Sequence, residues 1–236
     1  MEVHNIIDIN FDFQAEARGR DSDKHSPTLQ EYHRILWSKP LPNGKVFTLT
    51  KISNNRLYHK SELGEFFLSS DRAIPTFSNW KRFQHIVLLV PSTQVTTFSN
   101  LTDTIGGIVI WPSNQINSKP TMNAERGFNN KIVDRLDITI ECIRLYYLGK
   151  NSPLYDTINR YKDFFDLFGS FKGYIDFFLL QDAVSKDYSS VKIAKPFDKF
   201  KSSPIPSSID EYLQYMEATG QFVRDRNKRI SKNLGN

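Results

Sequence analysis

Residues 121–149 read TMNAERGFNNKIVDRLDITIECIRLYYLG, and this pattern predicts a loop followed by a long helix over 130–148. At about 100° per residue, apolar side chains recur along one narrow stripe, which is typical of a helix that packs on a core. The stripe consists of Ile132, Leu136, Ile140, Ile143 and Tyr147. The stretch therefore places a core helix in the C-terminal half of the chain.

A second line of the same helix carries three acids and one arginine. They are Asp134, Asp137, Glu141 and Arg144. Because Ile138 and Leu145 flank this arc, we predict that its side chains are mostly buried. One interpretation is a salt-bridge network that only needs its partners. The other is a ligand cleft between apolar walls, in which Asp137 and Glu141 are the candidate catalytic residues.

The loop before this helix favours an anion site. It supplies Asn123 and Arg126 beside the flexible Gly127, and the helix N-terminus is predicted near Asn130. A guanidinium and free backbone N–H groups at a helix start suit a phosphate or diphosphate. Asp134 and Arg144 complete the predicted binding set. Glu141 lies roughly 10 Å beyond Asp134 along the helix axis. With the diphosphate of a ligand bound at the helix start, Glu141 would face the reacting sugar of the same ligand.

The order of predicted elements indicates an α+β fold, with a mostly β N-terminal half, carrying one or two short helices, packed on a mostly helical C-terminal half. Ser26 and Pro27 predict the cap and first residue of a helix that runs to about Trp37. Strands are predicted over 6–13, 45–52, 56–60 and 104–112, and later helices over 153–168, 172–185 and 209–232.

The net charge of +5 is concentrated at the C-terminal end. Residues 221–236 contain five Lys or Arg against one Asp, a balance of +4, which leaves +1 for the rest. We predict a compact domain over 1–220 and a basic tail over 221–236 that contributes charge and not core. Such a tail favours a nucleic-acid partner, although a solvated helix end explains the same residues.

Other features of the sequence limit the classes of protein to which the chain can belong. The lone Cys142 cannot form an intrachain disulfide, the first residues do not resemble a signal peptide, and no apolar run is long enough to span a membrane. We therefore expect a cytoplasmic protein without a membrane partner. The sequence contains no P-loop, paired CxxC, HExxH or GxSxG motif.

Aspartates near the N-terminus provide an alternative site. Asp8, Asp12, Asp21 and Asp23 could hold Mg²⁺ or Mn²⁺, the metals of phosphodiester cleavage, in a metal-dependent nuclease. The same residues also suit turns and helix N-termini. The site predicted around the helix over 130–148 includes no metal ion, and the aspartate cluster is the alternative to that site.

The segments LYHKS (57–61) and GEFFLSSD (64–71) resemble ADP-ribosyltransferases. The resemblance implies NAD as a substrate, with His59 on the nicotinamide-side ribose and Ser69 and Ser70 nearby. No Glu-x-Glu follows these strands, so Glu141 takes the role of catalytic acid in this prediction.

Strings along most of the chain, among them HSPTLQEYHRILWSKPLPNGK, TIGGIVIWP and FKGYIDFFLLQD, are similar to a widespread bacterial family described as a domain of unknown function. The resemblance implies one compact cytoplasmic domain of a kind found as effectors or toxins in defence loci, including antiviral ones. Three classes stay open: an enzyme on NAD, nucleotides or nucleic acid, a metal-dependent nuclease, and a non-catalytic module that binds a protein partner such as an antitoxin.

Overall fold

The computed structural model describes residues 8–47, 49–51, 57–61, 64–195 and 197–234, and for residues 50, 51 and 57–61 it describes the backbone alone. The predicted α+β class is confirmed. The described strands are β1 Leu49–Lys51, β2 Leu57–Ser61, β3 Gly64–Arg72 and β4 Ile108–Pro112. The helices before β4 are α1 Phe13–Ala17, α2 Ser22–His25, α3 Pro27–Ser38, α4 Gln84–Val87 and α5 Ser92–Thr102. Those after it are α6 Met122–Phe128, α7 Leu136–Tyr147, α8 Tyr155–Arg160, α9 Lys162–Asp166, α10 Phe171–Phe177 and α11 Ile209–Leu234.

The strands form one antiparallel sheet in the order β1-β2-β3-β4. The described pairs between β2 and β3 end at Leu57↔Leu68, whereas β3 and β4 pair from Leu68↔Pro112 to Arg72↔Ile108. The last four residues of β3 therefore lie beyond its described pairing with β2. Every residue of β4 is buried, as its continuous apolar sequence predicts.

Aromatic side chains join the sheet to the helices. The Trp37 ring of α3 lies 4.9 Å from Phe47 and 5.1 Å from Phe177, measured between ring centroids. Phe66 of β3 contacts Phe164 of α9 in the same way at 5.7 Å. Edge-on and tilted pairs of this kind add to the free energy of apolar burial, so this cluster is the centre of the core.

Two segments before β1 show how short polar side chains decide local structure. Ser26 accepts a hydrogen bond from the Leu29 amide at 3.0 Å, which confirms the predicted cap of α3. The strand predicted over 6–13 is wrong where it is described, because the Asp12 carboxylate accepts from two amides and starts α1 at Phe13. Residues 6 and 7 lie outside the described residues.

The central helix starts later than the sequence predicts. α7 begins at Leu136, and the predicted loop before it contains the helix α6, capped by Thr121. Between them Val133 and Asp134 have φ values of +53° and +59°, a left-handed conformation that no α-helix continues. The predicted helices over 153–168 and 172–185 are likewise shorter, since α8 and α9 are separate and α10 ends at Phe177.

The basic C-terminal segment is part of the core. α11 runs without a break from Ile209 to Leu234, and Val223, Arg226 and Ile230 on it are fully buried. The prediction that this segment contributes charge and not core is therefore wrong. Its physical reason is the apolar stripe of α11, which continues to Leu234 between the cations. No helix in the described part of the chain is both long and apolar enough to cross a membrane.

Gly106 allows α11 to approach the sheet closely. A Cβ atom there would lie 2.6 Å from the Val223 carbonyl oxygen and 2.7 Å from Asn227 Oδ1, which accepts a hydrogen bond from the Gly106 amide. We expect Gly106→Ala to lower the free energy of unfolding by about 1–3 kcal/mol, measured by urea denaturation, because α11 must shift.

Gly220→Ala in the same helix is the matched control. A Cβ atom there would make ordinary contacts at 3.4 Å with Leu101 and Arg224, and alanine favours helix over glycine. The stability of this variant is expected to stay equal or rise. Equal stability of the two variants would show that α11 is not held against Gly106.

Candidate functional site

A polar cleft of about 420 Å³ lies where β3 extends past β2. Its lining residues are Phe13, Gln14, Arg20, Asp21, Ser22, Asp23, Ser69, Ser70, Asp71, Arg72, Ile108 and Asp134. A neighbouring cleft of about 550 Å³ shares Asp21, Asp23 and Ser69 with it. The turn between α1 and α2 thus faces the last four residues of β3, which lie beyond its described pairing with β2, across a space of ligand size.

A side chain from α2 binds the backbone at the end of β3. The Ser70 amide donates to both carboxylate oxygens of Asp23, at 2.9 and 3.2 Å, where a neighbouring strand would otherwise accept. An unpaired backbone donor of this kind needs a partner when water is excluded. Asp23 therefore fixes the end of β3 against α2.

His33 of α3 lies behind this strand end. Its Nε2 atom is 2.6 Å from Ser70 Oγ and 3.7 Å from Asp23 Oδ1, and its side chain is fully buried. The Nδ1 atom has no hydrogen-bond partner among the described residues. A serine hydroxyl on a histidine ring at the edge of a cleft is a pair able to exchange a proton.

Arg126 of α6 lies behind the cleft and contacts two of its lining carboxylates, Asp71 and Asp134. Its Nη1 atom contacts Asp71 Oδ2 at 2.5 Å and lies 3.9 Å from Asp134 Oδ1. Nε donates to Thr139 Oγ1 at 3.0 Å, and Nη2 donates to the Asp134 carbonyl at 2.6 Å. The guanidinium also stacks on the Trp111 ring at 5.2 Å. With no exposed surface, Arg126 is engaged by the protein itself, and it holds two carboxylates at the cleft.

Burial changes the acidity of these carboxyl groups. It raises the pKa of Asp71 above its ordinary value, and the charge of Asp134 adds to this effect while Arg126 opposes it. It also raises the pKa of Asp134, against the lowering effect of Arg126 and Arg72. The Asp134 side chain keeps 37% of its surface exposed, so a ligand in the cleft can contact this carboxyl group directly.

Two arginines stand at the rim of the cleft and differ in their partners. Arg72 donates to Asp103 Oδ1 at 2.9 Å, and this partner offsets its charge. The exposed Arg20 side chain forms no ion pair or hydrogen bond with the residues that the structure describes. It is a cation at the cleft that a ligand anion can reach.

The predicted acidic arc separates into three pairings. Glu141 binds Arg144 through two hydrogen bonds of 2.7 and 2.8 Å along α7. Asp137 pairs with the buried Arg135 and accepts from the Ala194 amide at 2.9 Å. Asp134 precedes α7 and alone of the four lines the cleft. The four side chains are buried or half-buried as predicted, but they do not form one continuous network.

The other predicted residues are placed as follows. Asn123 lies on α6, outside the lining of the cleft. His59 lies on β2 opposite Leu49 and Phe66, and its side chain is outside the described atoms. Ser69 lines the cleft together with Asp134, whereas the buried Arg126 is not among the lining residues and contacts the cleft only through its partners Asp71 and Asp134.

The aspartates of the alternative metal site act locally. Asp8 accepts from the Asn10 amide, Asp12 caps α1, Asp21 caps α2 and Asp23 holds the Ser70 amide. Within the ranges described, no group of three or more His, Cys, Asp or Glu residues is arranged to hold a metal ion.

Sequence reasoning missed His33 and the role of Asp71. The signal for His33 was present, since it lies on the buried stripe of α3 with Leu29, Tyr32 and Leu36. A histidine on an apolar stripe needs a polar partner, and only the fold shows that this partner is Ser70.

The fold and cleft define an α+β domain with a carboxylate-rich site at a sheet edge. The chain belongs to the family described as "Family of unknown function (DUF6994)", whose model matches residues 7–230. No curated protein and no solved structure matches the chain.

Proposed function

We propose that the protein is an enzyme that cleaves or transfers at the glycosidic carbon of NAD or a related nucleotide, with the polar cleft as its active site. The single observation that carries the proposal is the pair Asp71 and Asp134, held by one buried arginine and open to the cleft. Two carboxylates on one cleft are the usual means of stabilising a sugar carbon that loses its leaving group.

The charge of the cleft suits this chemistry. Four carboxylates line it against Arg20 and Arg72, so its potential favours the cationic nicotinamide ring and the oxocarbenium character that develops at the sugar. Nicotinamide leaves with the electron pair of the broken C–N bond, water or an acceptor group forms the new bond at that carbon, and the proton of this nucleophile passes to one of the two carboxylates, Asp71 or Asp134. Arg20, whose side chain forms no ion pair or hydrogen bond with the described residues, is the residue proposed to bind the phosphates.

The serines at the end of β3 provide hydroxyl groups beside the two acids. Ser69 and Ser70 line the cleft, and we assign them to the ribose hydroxyl groups of the substrate. The assignment of His59 to the same ribose stays a prediction. In this proposal the protein acts in the bacterial cytoplasm as an effector or toxin, and its acceptor is a cellular RNA or protein.

Asp134→Asn is expected to lower activity at least about 100-fold, because it removes the carboxylate that stabilises developing positive charge. Asparagine tolerates the left-handed backbone at this position, and the Asp134 carbonyl that binds Arg126 is retained. The measurement is nicotinamide release, and label transfer from NAD to bacterial RNA and protein. Thermal melting verifies that the variant is folded.

Glu141→Gln is the matched comparison. The catalytic role predicted for Glu141 stays a prediction, but its carboxylate pairs with Arg144 outside the lining of the cleft. If Glu141→Gln loses activity and Asp134→Asn does not, the active site lies at α7 and not in the polar cleft. If the wild-type protein neither releases nicotinamide nor transfers label, the enzyme proposal is wrong and a binding module replaces it.

A further inference from the structure

A second cavity, of about 280 Å³, lies between α7, the 3₁₀ turn Gln181–Ala183 and α11. Its walls are mainly apolar side chains of the core. They are Ile74, Leu136, Ile140, Ala183, Tyr215 and Phe222. Protein interiors normally fill such space, and a well-formed apolar pocket with a few polar groups at its mouth is the usual form of a small-molecule site.

Two acids at the mouth of this cavity are already neutralised. Asp137 accepts from the buried Arg135 and from the Ala194 amide. Asp182 forms a two-pronged pair with Arg229, with distances of 2.9 and 2.7 Å. Neither carboxylate needs a ligand cation, because each has a guanidinium in hydrogen-bond contact.

The remaining charged groups of the mouth also have protein partners. Lys192 donates to the Asp182 carbonyl at 3.2 Å. Asp225 accepts from Gln221 at 2.8 Å and lies 3.9 Å from the Lys228 ammonium. Three of the four charged groups at the mouth are paired with an opposite charge, and the fourth, Lys192, is exposed to solvent. A charged ligand that enters between the apolar walls would therefore lose its hydration without meeting a buried counter-charge.

We propose that this cavity binds a neutral, largely apolar small molecule of about two fused rings. The size follows from comparison with apolar cavities of about 150 Å³, which hold one benzene molecule. The neutral charge follows from the paired groups at the mouth, and the apolar character follows from the walls. This proposal does not rest on the function proposed for the polar cleft.

The cavity and the cleft lie along the same two chain segments. Ile74 and Leu136 line the cavity, and Arg72 and Asp134, two residues before each of them, line the cleft. Binding in the cavity is nevertheless measured directly, without any enzymatic readout. Its failure and the failure of the active-site proposal are therefore distinguishable.

Isothermal titration calorimetry tests the proposal with three probes that share the naphthalene ring and differ in the charge of their substituent. The probes are 2-naphthol, 2-naphthoate and 2-naphthylmethylammonium. We expect 2-naphthol to saturate one site per chain and to bind at least about tenfold more tightly than either charged probe, since a buried unpaired charge is costly.

Two tryptophan variants locate the binding site. Ala218 is exposed on α11 and lines the cavity, so Ala218→Trp blocks the mouth without altering the core. Glu217 is the exposed neighbour outside the lining, and Glu217→Trp is the matched control. We expect at least a tenfold loss of 2-naphthol affinity in the first variant and none in the second, with both melting like wild type.

Three results would overturn the proposal. They are the absence of saturable 2-naphthol binding, equal binding by a charged probe, and unchanged affinity in a folded Ala218→Trp variant. If Ala218→Trp proves unstable, competition between 2-naphthol and a second neutral bicyclic probe, quinoline, decides the matter. One shared site supports the proposal, and independent binding contradicts it.

Discussion

Replacing Arg226 with alanine is expected to lower the free energy of unfolding by about 3–5 kcal/mol. The guanidinium is fully buried and donates to the carbonyl groups of Gly106, Ile108 and Phe178, at 2.9, 2.5 and 3.0 Å. Alanine leaves these acceptors without a donor and opens a cavity of most of an arginine side chain. Urea denaturation followed by circular dichroism measures the loss.

Arg224, two residues earlier on α11, is the control for this substitution. Its side chain is 44% exposed and contacts Gln221 and Glu217 at 3.2 Å or more. Arg224→Ala is expected to change the stability by no more than about 0.5 kcal/mol. A similar small effect of Arg226→Ala would mean that the basic segment contributes only charge, as its composition suggests.

The comparison between these two arginines shows what local sequence predicts and what it does not. The cap of α3 at Ser26 and the strands predicted over 45–52 and 56–60 depend on neighbours in the chain, and the structure has the cap and, within or next to these ranges, β1 and β2. The burial of Arg226 depends on acceptors 118 and 120 positions away. The spacing from Val223 and Ile230 places Arg226 on the buried stripe of α11, but only the fold shows which carbonyl groups accept from its guanidinium.

The residues of the candidate cleft are likewise only partly predictable, because some follow from local sequence and others depend on contacts between distant parts of the chain. Ser69 and Asp134 were identified from motifs and helix geometry, and both line the cleft. The partners that give the site its chemistry are distant in sequence, with 37 positions between His33 and Ser70 and 55 between Asp71 and Arg126. Strand register decides these contacts, and register follows from the whole sheet.

Arg126→Ala is expected to destabilise the fold by about 3–5 kcal/mol, in contrast to the sequence-based prediction that Arg126 belongs to an anion site. The guanidinium satisfies Thr139, the Asp134 carbonyl and the Asp71 carboxylate at once. Its removal takes away the cation that opposes the effect of burial on the pKa of Asp71 and leaves this half-buried carboxyl group without its partner. Urea denaturation measures the loss.

A double-mutant cycle separates the charge from the packing. Arg126→Met keeps much of the apolar volume, so its cost reports mainly the uncompensated Asp71 carboxylate. Adding Asp71→Asn removes that charge, and the double variant is expected to recover at least about 1 kcal/mol relative to additivity. Arg126→Lys should recover less than full stability, because an ammonium cannot reproduce the fork that joins three acceptors. If Arg126→Ala instead melts like wild type and loses only ligand affinity, the guanidinium serves an external anion and the anion site predicted from the sequence is right.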